Sequence, residues 1–414
     1  MRNQFHTILC LFLLVIGVTS CKKNSDEGLS VTLDTPQVSG PLVTLKWSKV
    51  NSSSVYGYML MRSVDSGAST ASTYVNISKT KTEYVDTLPL SPNVRYTVVA
   101  RTNGFSGNVI SNVQVVSRTD MPFWSFRAKD AVYDYATHVV YVYSADGQIV
   151  AYNTQTKTTI ASINTTASLG YCDLGTYNGV TELYVPRSDG WLFIYDAATL
   201  NQVDQINIGG GTLTGVNAVN GILYISSYGS SRLYSYSRAT KTMISSIYSD
   251  GDIHLKALPG SSTEFVGTSS YSQVFYYKFS SAGTYVSSNS AYLTGGSYYL
   301  GALAAFPDGN HFIMSSQGSI YAKDLSYTST LPYGNMQFNS YAFDAAGQYI
   351  YAGTYQRSVV AYNASNYQQV KGSPVQGIPI AMFADNGHLV CVTCSTGYYS
   401  YYTTGYTSVE TVDQ

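Results

Sequence analysis

The stretch TELYVPRSDGWLFIYDAATLNQVDQI, residues 181–206, sets the fold of this chain because its pattern returns along the sequence. Further copies are HVVYVYSADGQIVAYNTQTKTTIASI from His138, GILYISSYGSSRLYSYSRATKTMISSI from Gly221 and TEFVGTSSYSQVFYYKFSSAGTYVSS from Thr263. NHFIMSSQGSIYAKDLSYTSTLPYG starts at Asn310, QYIYAGTYQRSVVAYNASNYQQVKG at Gln348 and HLVCVTCSTGYYSYYTTGYTSVETV at His388. Seven copies start roughly 40 residues apart, a period that accommodates four short strands per repeat.

Each copy carries the same strand grammar. A first strand ends at a glycine turn, as in Leu303–Gly309 and Ala381–Gly387. A second follows at Leu183-Tyr184-Val185, then the turn Ser188-Asp189-Gly190, a third strand Leu192–Asp196 and a fourth Val203–Ile206. One such sheet cannot cover both of its faces, whereas seven arranged radially can, and only short edges are left. The expectation is an all-β chain ending in a seven-bladed β-propeller over residues 121–414. Ile194–Leu200, IYDAATL, resembles the YVTN or quinoprotein-like propeller repeat, which implies the fold and no particular activity. The first inner strand falls near Ala131 and the last copy carries a candidate edge strand near Val409. Phe123–Phe126 then serves either as an extra edge strand or as packing against the preceding unit, with packing preferred.

Residues 29–119 read as a separate unit. Alternating runs such as VTLKWSKV, YGYMLMRSV, TEYVDTL, RYTVVART and SNVQVVSRT are separated by turn signals at sandwich-like spacing. The proline turn Leu88-Pro89-Leu90-Ser91-Pro92 before Tyr96, with Trp47 on an early strand, resembles a fibronectin type III domain: an immunoglobulin-like sandwich with a tyrosine corner and a core tryptophan. The resemblance implies a spacer without chemistry. Arg-Gly-Asp is absent, so integrin-type adhesion has no support.

The first residues read as a targeting segment. Arg2 gives a positive start, and Thr7–Gly17 is apolar but too short to span a bilayer. Val18-Thr19-Ser20-Cys21 resembles a bacterial lipobox, which implies a signal peptide over 1–20 and lipidation at Cys21. Several acyl chains would then anchor the protein durably. Residues 22–28, KKNSDEG, read as a charged flexible tether. It is similar to tethers of outer-membrane lipoproteins in glycan-foraging Gram-negative bacteria, so the expected location is the outer membrane, facing the periplasm or the surface. The expected membrane contact is through the lipid alone.

Composition narrows the partners. Charged residues make up 11%, well below the roughly 25% of an average domain, and the net charge is −1, which gives no basic field for nucleic acid. Forty tyrosines favour strands and offer flat apolar bodies with hydroxyl tips, suited to neutral ligands. Five cysteines are too few for a disulfide scaffold. Cys391 and Cys394, three apart in a strand-like VCVTC, point to opposite faces and with Cys172 read as small buried hydrophobes.

Catalytic patterns are sparse. His138, His311 and His388 share one repeat phase and are too spread for a metal. Asp250-Gly251-Asp252 lacks the oxygen density of a calcium loop, and Asp146-Gly147 and Asp189-Gly190 are turn formers. Gly209-Gly210-Gly211 lacks the lysine and helix of a phosphate loop, and no Gly-x-Ser-x-Gly elbow occurs. No cofactor is expected. The inner strands carry few carboxylates, chiefly Asp134 and Asp173, so the centre reads as chemically quiet.

What remains is a recognition face at the strand ends. It would carry Arg187, Asp189 and Trp191, then Tyr228 and Arg232, then Tyr271, Tyr298 and Tyr299, and finally Asn339, Tyr355 and Arg357. His254, opening an inner strand, could reach the central opening. Aromatic slabs beside amide and guanidinium donors suit a sugar ring or peptide. The expected function is therefore a non-enzymatic, lipid-anchored envelope protein whose propeller binds a neutral glycan or another envelope protein. One alternative is a lyase or hydrolase acting on a glycan or lactone through His254, Lys256 and Asp173 in the channel, provided those groups converge. The other is a scaffold with a large apolar face.

Overall fold

The computed structural model describes residues 29–65, 70–103, 107–209, 211–249, 252–269, 273–292, 302–396 and 405–413. Among these residues every regular element is a β-strand. Two sheets occupy the N-terminal part. Gln37–Ser39, Leu42–Lys46 and Glu83–Thr87 form one; Val55–Asp65, Thr70–Ser78, Asn93–Thr102, Val109–Ile110 and Gln114–Ser117 form the other. Alternating residues from both, including Val43, Leu45, Tyr58, Leu60, Tyr96 and Val98, enter one core. Trp47 is buried there and meets Tyr58 edge-on, with ring centroids 5.6 Å apart.

Seven further sheets follow: sheet 1 (128–164), sheet 2 (173–207), sheet 3 (213–248), sheet 4 (253–292), sheet 5 (303–330), sheet 6 (338–374) and sheet 7 (378–413). The first six are four-stranded antiparallel meanders in which sequence neighbours pair. Burial explains their sequence pattern. The second strand of sheet 1, Val139–Ser144, is buried at every position, whereas the fourth, Thr158–Asn164, is largely exposed. An interior strand covered on both faces needs apolar residues throughout; an edge strand does not. Val140 and Val142 pack toward sheet 7, and Val139, Tyr141 and Tyr143 pack toward sheet 2.

The first strand of each sheet touches the first strand of the next, and Ile378–Asp385 of sheet 7 touches Ala128–Asp134 of sheet 1. The neighbour relation thus returns to its start. The connection from sheet 1 to sheet 2 comes close enough to the first strand of sheet 3 to require glycine: a Cβ at Gly170 would lie 2.6 Å from the Thr214 backbone.

Sheet 7 departs from expectation. It has three strands among the described residues, and Thr407–Asp413, read from sequence as the edge of the last repeat, pairs directly with His388–Cys394. The position outside it is met by Trp124, whose N–H and carbonyl both bond to Thr407 at 2.9 Å. The preferred reading of Phe123–Phe126, packing on the N-terminal unit, is corrected accordingly: Trp124 and Phe126 pack in the core shared by sheets 1 and 7. A tryptophan has enough apolar area to fill the seam between two sheets.

The N-terminal sheets touch sheets 6 and 7. Leu90 N–H donates to the Gln376 carbonyl at 3.0 Å, and the Arg118 guanidinium donates to the Gln376 side chain. The Tyr406 hydroxyl donates to Asp65 at 3.4 Å. Glu410, buried beneath Gln376, accepts from the Gln376 and Gly377 N–H groups and from the Thr393 hydroxyl. Burial pushes its carboxyl upward, and these donors with Arg118 draw it partly back. The Tyr96 hydroxyl donates to the Asp86 carboxylate at 2.8 Å, which Arg62 also holds at 2.9 Å. A tyrosine corner bonds backbone, so this side-chain partner is a departure from the family pattern.

Candidate functional site

In an antiparallel meander the turn between strands two and three lies at the same end as the exit toward the next sheet. Sheets 2 and 3 show this rim most fully. Tyr228 N–H donates to Thr212 O at 2.9 Å, and Leu213 N–H donates to Arg187 O at 3.1 Å, so the turn of each sheet is tied to the connection between them. Arg187 itself is buried: it pairs with Asp189 at 2.5 Å and covers the Phe193 ring at 4.0 Å. Its role is to brace the turn, which corrects its assignment as an open ligand contact. Trp191 is half-buried on the third strand opposite Asn207. Tyr228 is 54% exposed, and Arg232 is exposed with its guanidinium on the Ser246 hydroxyl at 2.9 Å. Tyr248, 78% exposed, stands directly across the ladder from Arg232. Sequence reasoning passed over Tyr248, because an edge-strand tyrosine looks like any other of the forty.

Sheet 6 corrects two further assignments, Asn339 and Arg357. Asn339 is fully buried and donates to Pro379 O at 2.8 Å, bridging two first strands. Tyr355 and Arg357 are half-buried. The Arg357 guanidinium reaches Gln376 O at 3.4 Å, and burial together with Arg62 pushes its pKa down. It faces the N-terminal sheets, which take up the rim there. Tyr271, Tyr298, Tyr299 and Cys21 lie outside the described residues.

The centre is not chemically quiet. His254, on the first strand of sheet 4, is 3% exposed and stacks on Tyr171 before sheet 2, with centroids 3.8 Å apart and planes 3° from parallel. Its Nε2 lies 4.0 Å from the Asp130 carboxylate of sheet 1. One side chain thus spans from sheet 4 to sheets 2 and 1, past sheet 3, which places it in the space the first strands share. Lys129 donates to Leu169 O at 2.7 Å and lies 4.5 Å above the Tyr171 ring. Asp130 is buried; burial raises its pKa, and Lys256, Lys129 and Tyr143 draw it back. Asp173 accepts from Ala218 N–H at 2.8 Å, and burial pushes its carboxyl up to about 6 against the pull of Lys256. Asp173, His254 and Lys256 therefore share one electrostatic neighbourhood, and Asp130 and Lys129, which sequence reading missed, complete it. Their signal was a charged pair inside an inner strand whose other residues before Asp134 are Ala, Val and Tyr.

Among the described residues the other histidines each meet an aspartate: His138 with Asp385 at 2.6 Å, His311 with Asp308 at 2.7 Å, His388 with Asp413 at 2.9 Å. Asp134, expected to face the channel, instead caps a turn through Ala136 N–H and the Thr137 hydroxyl. Among the described residues no group of three or more His, Cys, Asp or Glu is placed to hold a metal ion. Cys172, Cys391 and Cys394 are free and buried, the last two in different cores. Compared with known proteins, the chain matches no family model and no curated protein.

Proposed function

We propose that this is a lipid-anchored envelope protein in which a fibronectin type III-like sandwich precedes a seven-bladed β-propeller, and that the propeller rim binds a neutral glycan. The cyclic contact of the seven first strands and the joint core of sheets 1 and 7 support the propeller reading. The lipobox-like Val18–Cys21 and the charged tether support the anchor. The observation that carries the binding reading is the exposed triad at the end of sheet 3: Tyr228, Arg232 and Tyr248. Two flat aromatic bodies flanking a guanidinium offer a stacking platform and a donor to sugar hydroxyls. Capture of another envelope protein by the same rim is the alternative within this reading.

A non-enzymatic role is supported by the burial of His254 and Asp130, which denies a substrate contact to the best general base. The competing enzyme reading gains from the convergence of Asp130, Asp173, His254 and Lys256. Glycan-array binding by the full chain, with Trp191→Ala, Tyr228→Ala and Arg232→Ala as controls, tests the rim. Array silence together with no captured envelope partner would remove the binding reading.

A further inference from the structure

Sheets 1–6 each have four strands, whereas sheet 7 ends at Thr407–Asp413 among the described residues. The N–H and carbonyl of Thr407 both turn outward to Trp124. In an antiparallel strand the backbone groups of alternate residues turn to the same side, so those of Val409 and Thr411 also face outward, away from His388–Cys394. The ladder begun at Trp124 stops at once. In its antiparallel register Pro122 falls opposite Val409, where it has no N–H to give, and the Ser408 hydroxyl takes its carbonyl at 2.6 Å. Among the described residues no backbone group pairs with the outward groups of Val409 and Thr411.

Two cavities adjoin this open edge. One, of about 300 Å³, is lined by four successive residues, Val409 to Val412. Successive side chains point to opposite faces, so four in a row line one space only along the edge of a strand. The charges around it balance, with Arg118 and Lys157 against Asp120 and Glu410. The other cavity, of about 330 Å³, lies on the sheet 6 side, where Tyr351, Val359, Ala361 and Val370 face Leu389 and Val412 of sheet 7. Val370, on the outer strand of sheet 6, is 57% exposed. The Lys371 ammonium closes the far end by donating to the Asp413 carbonyl at 3.1 Å.

One extended peptide fits these surroundings. Its backbone groups meet those of Val409 and Thr411, one row of alternate side chains enters the apolar cavity, and the other row meets the charge-balanced wall. The folded edge of a second copy does not fit, because residues of the N-terminal sheets, the connecting segment, sheet 1 and sheet 6 stand around the same edge. We propose that the open edge of Thr407–Asp413 takes an extended segment of a partner protein as the fourth strand of sheet 7. That segment carries apolar side chains at alternate positions and uncharged polar ones between. The site shares no residue with the rim, so its test is independent of glycan binding.

The test is selection of a displayed library of random octapeptides on the full chain, followed by hydrogen exchange and affinity measurements with the selected peptides. The Val409 and Thr411 amides should exchange quickly in the free chain and become protected in the complex. Thr411→Pro removes an outward N–H and no bond to His388–Cys394, and proline is tolerated at such edge positions. It should weaken binding by roughly tenfold or more. Val370→Glu leaves the edge intact and charges the apolar cavity, so it remains informative if Thr411→Pro folds poorly; a similar loss is expected. Backbone N-methylation of the peptide at alternate positions should abolish binding. No selected peptide, affinity unchanged by both variants, or tolerance of N-methylation at every position would each overturn the proposal. A dimer in sedimentation that Thr411→Pro dissolves would give the edge to a second copy and overturn it as well.

Discussion

His138 in sheet 1 and Asp385 in sheet 7 meet at 2.6 Å across 247 positions of sequence. The Tyr133 hydroxyl donates to the same carboxylate at 2.8 Å, and the Tyr133 ring stacks on Phe383 at 5.2 Å. The last sheet is therefore fastened to the first by a polar latch over an aromatic contact. Asp385→Ala would leave two largely buried groups short of a partner. The expected cost is about 1–3 kcal/mol, read as a lower urea midpoint with an unchanged slope. A midpoint equal to wild type would show that the latch is energetically idle.

The Asp173 carboxyl, pushed up to about 6, carries a pH dependence of known sign. An acid whose folded pKa exceeds its unfolded value near 4 binds protons more tightly in the native state. Its stabilising contribution is full below about pH 4 and is lost as pH rises through about 6. Asp173→Asn should flatten the stability profile across that window. At pH 8 it should be more stable than wild type, by on the order of 1–2 kcal/mol. Denaturation midpoints measured from pH 4 to pH 8 check this, and parallel profiles for the two proteins would contradict it.

Between sheets 2 and 3 a buried ion network joins Glu182 to Arg238 at 2.8 Å, with Asp204 also on Arg238 at 2.8 Å and the Tyr184 hydroxyl on Glu182 at 2.6 Å. Removing one member strands the other in low dielectric, whereas replacing both by apolar groups does not. Arg238→Met should cost about 3–5 kcal/mol, and Glu182→Met with Arg238→Met should recover much of it. A double-mutant cycle by chemical denaturation gives the coupling; simple additivity would mean the pair acts independently.

Arg118 ties the segment between the two parts of the chain to Gln376 and Asp120. Arg118→Ala removes both contacts and a cation that draws the Glu410 carboxyl down. The expected result is faster limited proteolysis near residues 118–122, with little change in the unfolding of either part. Unaltered cleavage would show that Leu90 and Tyr406 hold the contact without it.

Strand content, the four-strand period and the turn positions were legible in the sequence because they are local. Period-two alternation and Asp-Gly or Asn-Gly turns depend on neighbours a few residues apart, and Gly147 and Gly190 do adopt the positive φ those turns require. Cys391 and Cys394 on opposite faces follow from the same alternation, and Trp47 lies in a core as the fibronectin type III resemblance implied. The rim was only partly readable. Tyr228 and Arg232 are exposed as expected, but Arg357 is turned toward the N-terminal sheets and Asn339 is spent on Pro379.

The sequence by itself determined the repeat, its strand order and the low charge of the surface, since each is a property of short segments or of composition. Only the tertiary structure decided which distant residues share a space. Asp130, Asp173, His254 and Lys256 come from three sheets, and nothing within any one repeat encodes that their side chains converge. The same holds for Trp124 on Thr407 and for Asp385 on His138. Such pairings depend on how whole sheets pack against one another, and that packing is set by the summed burial of all the cores rather than by any local signal.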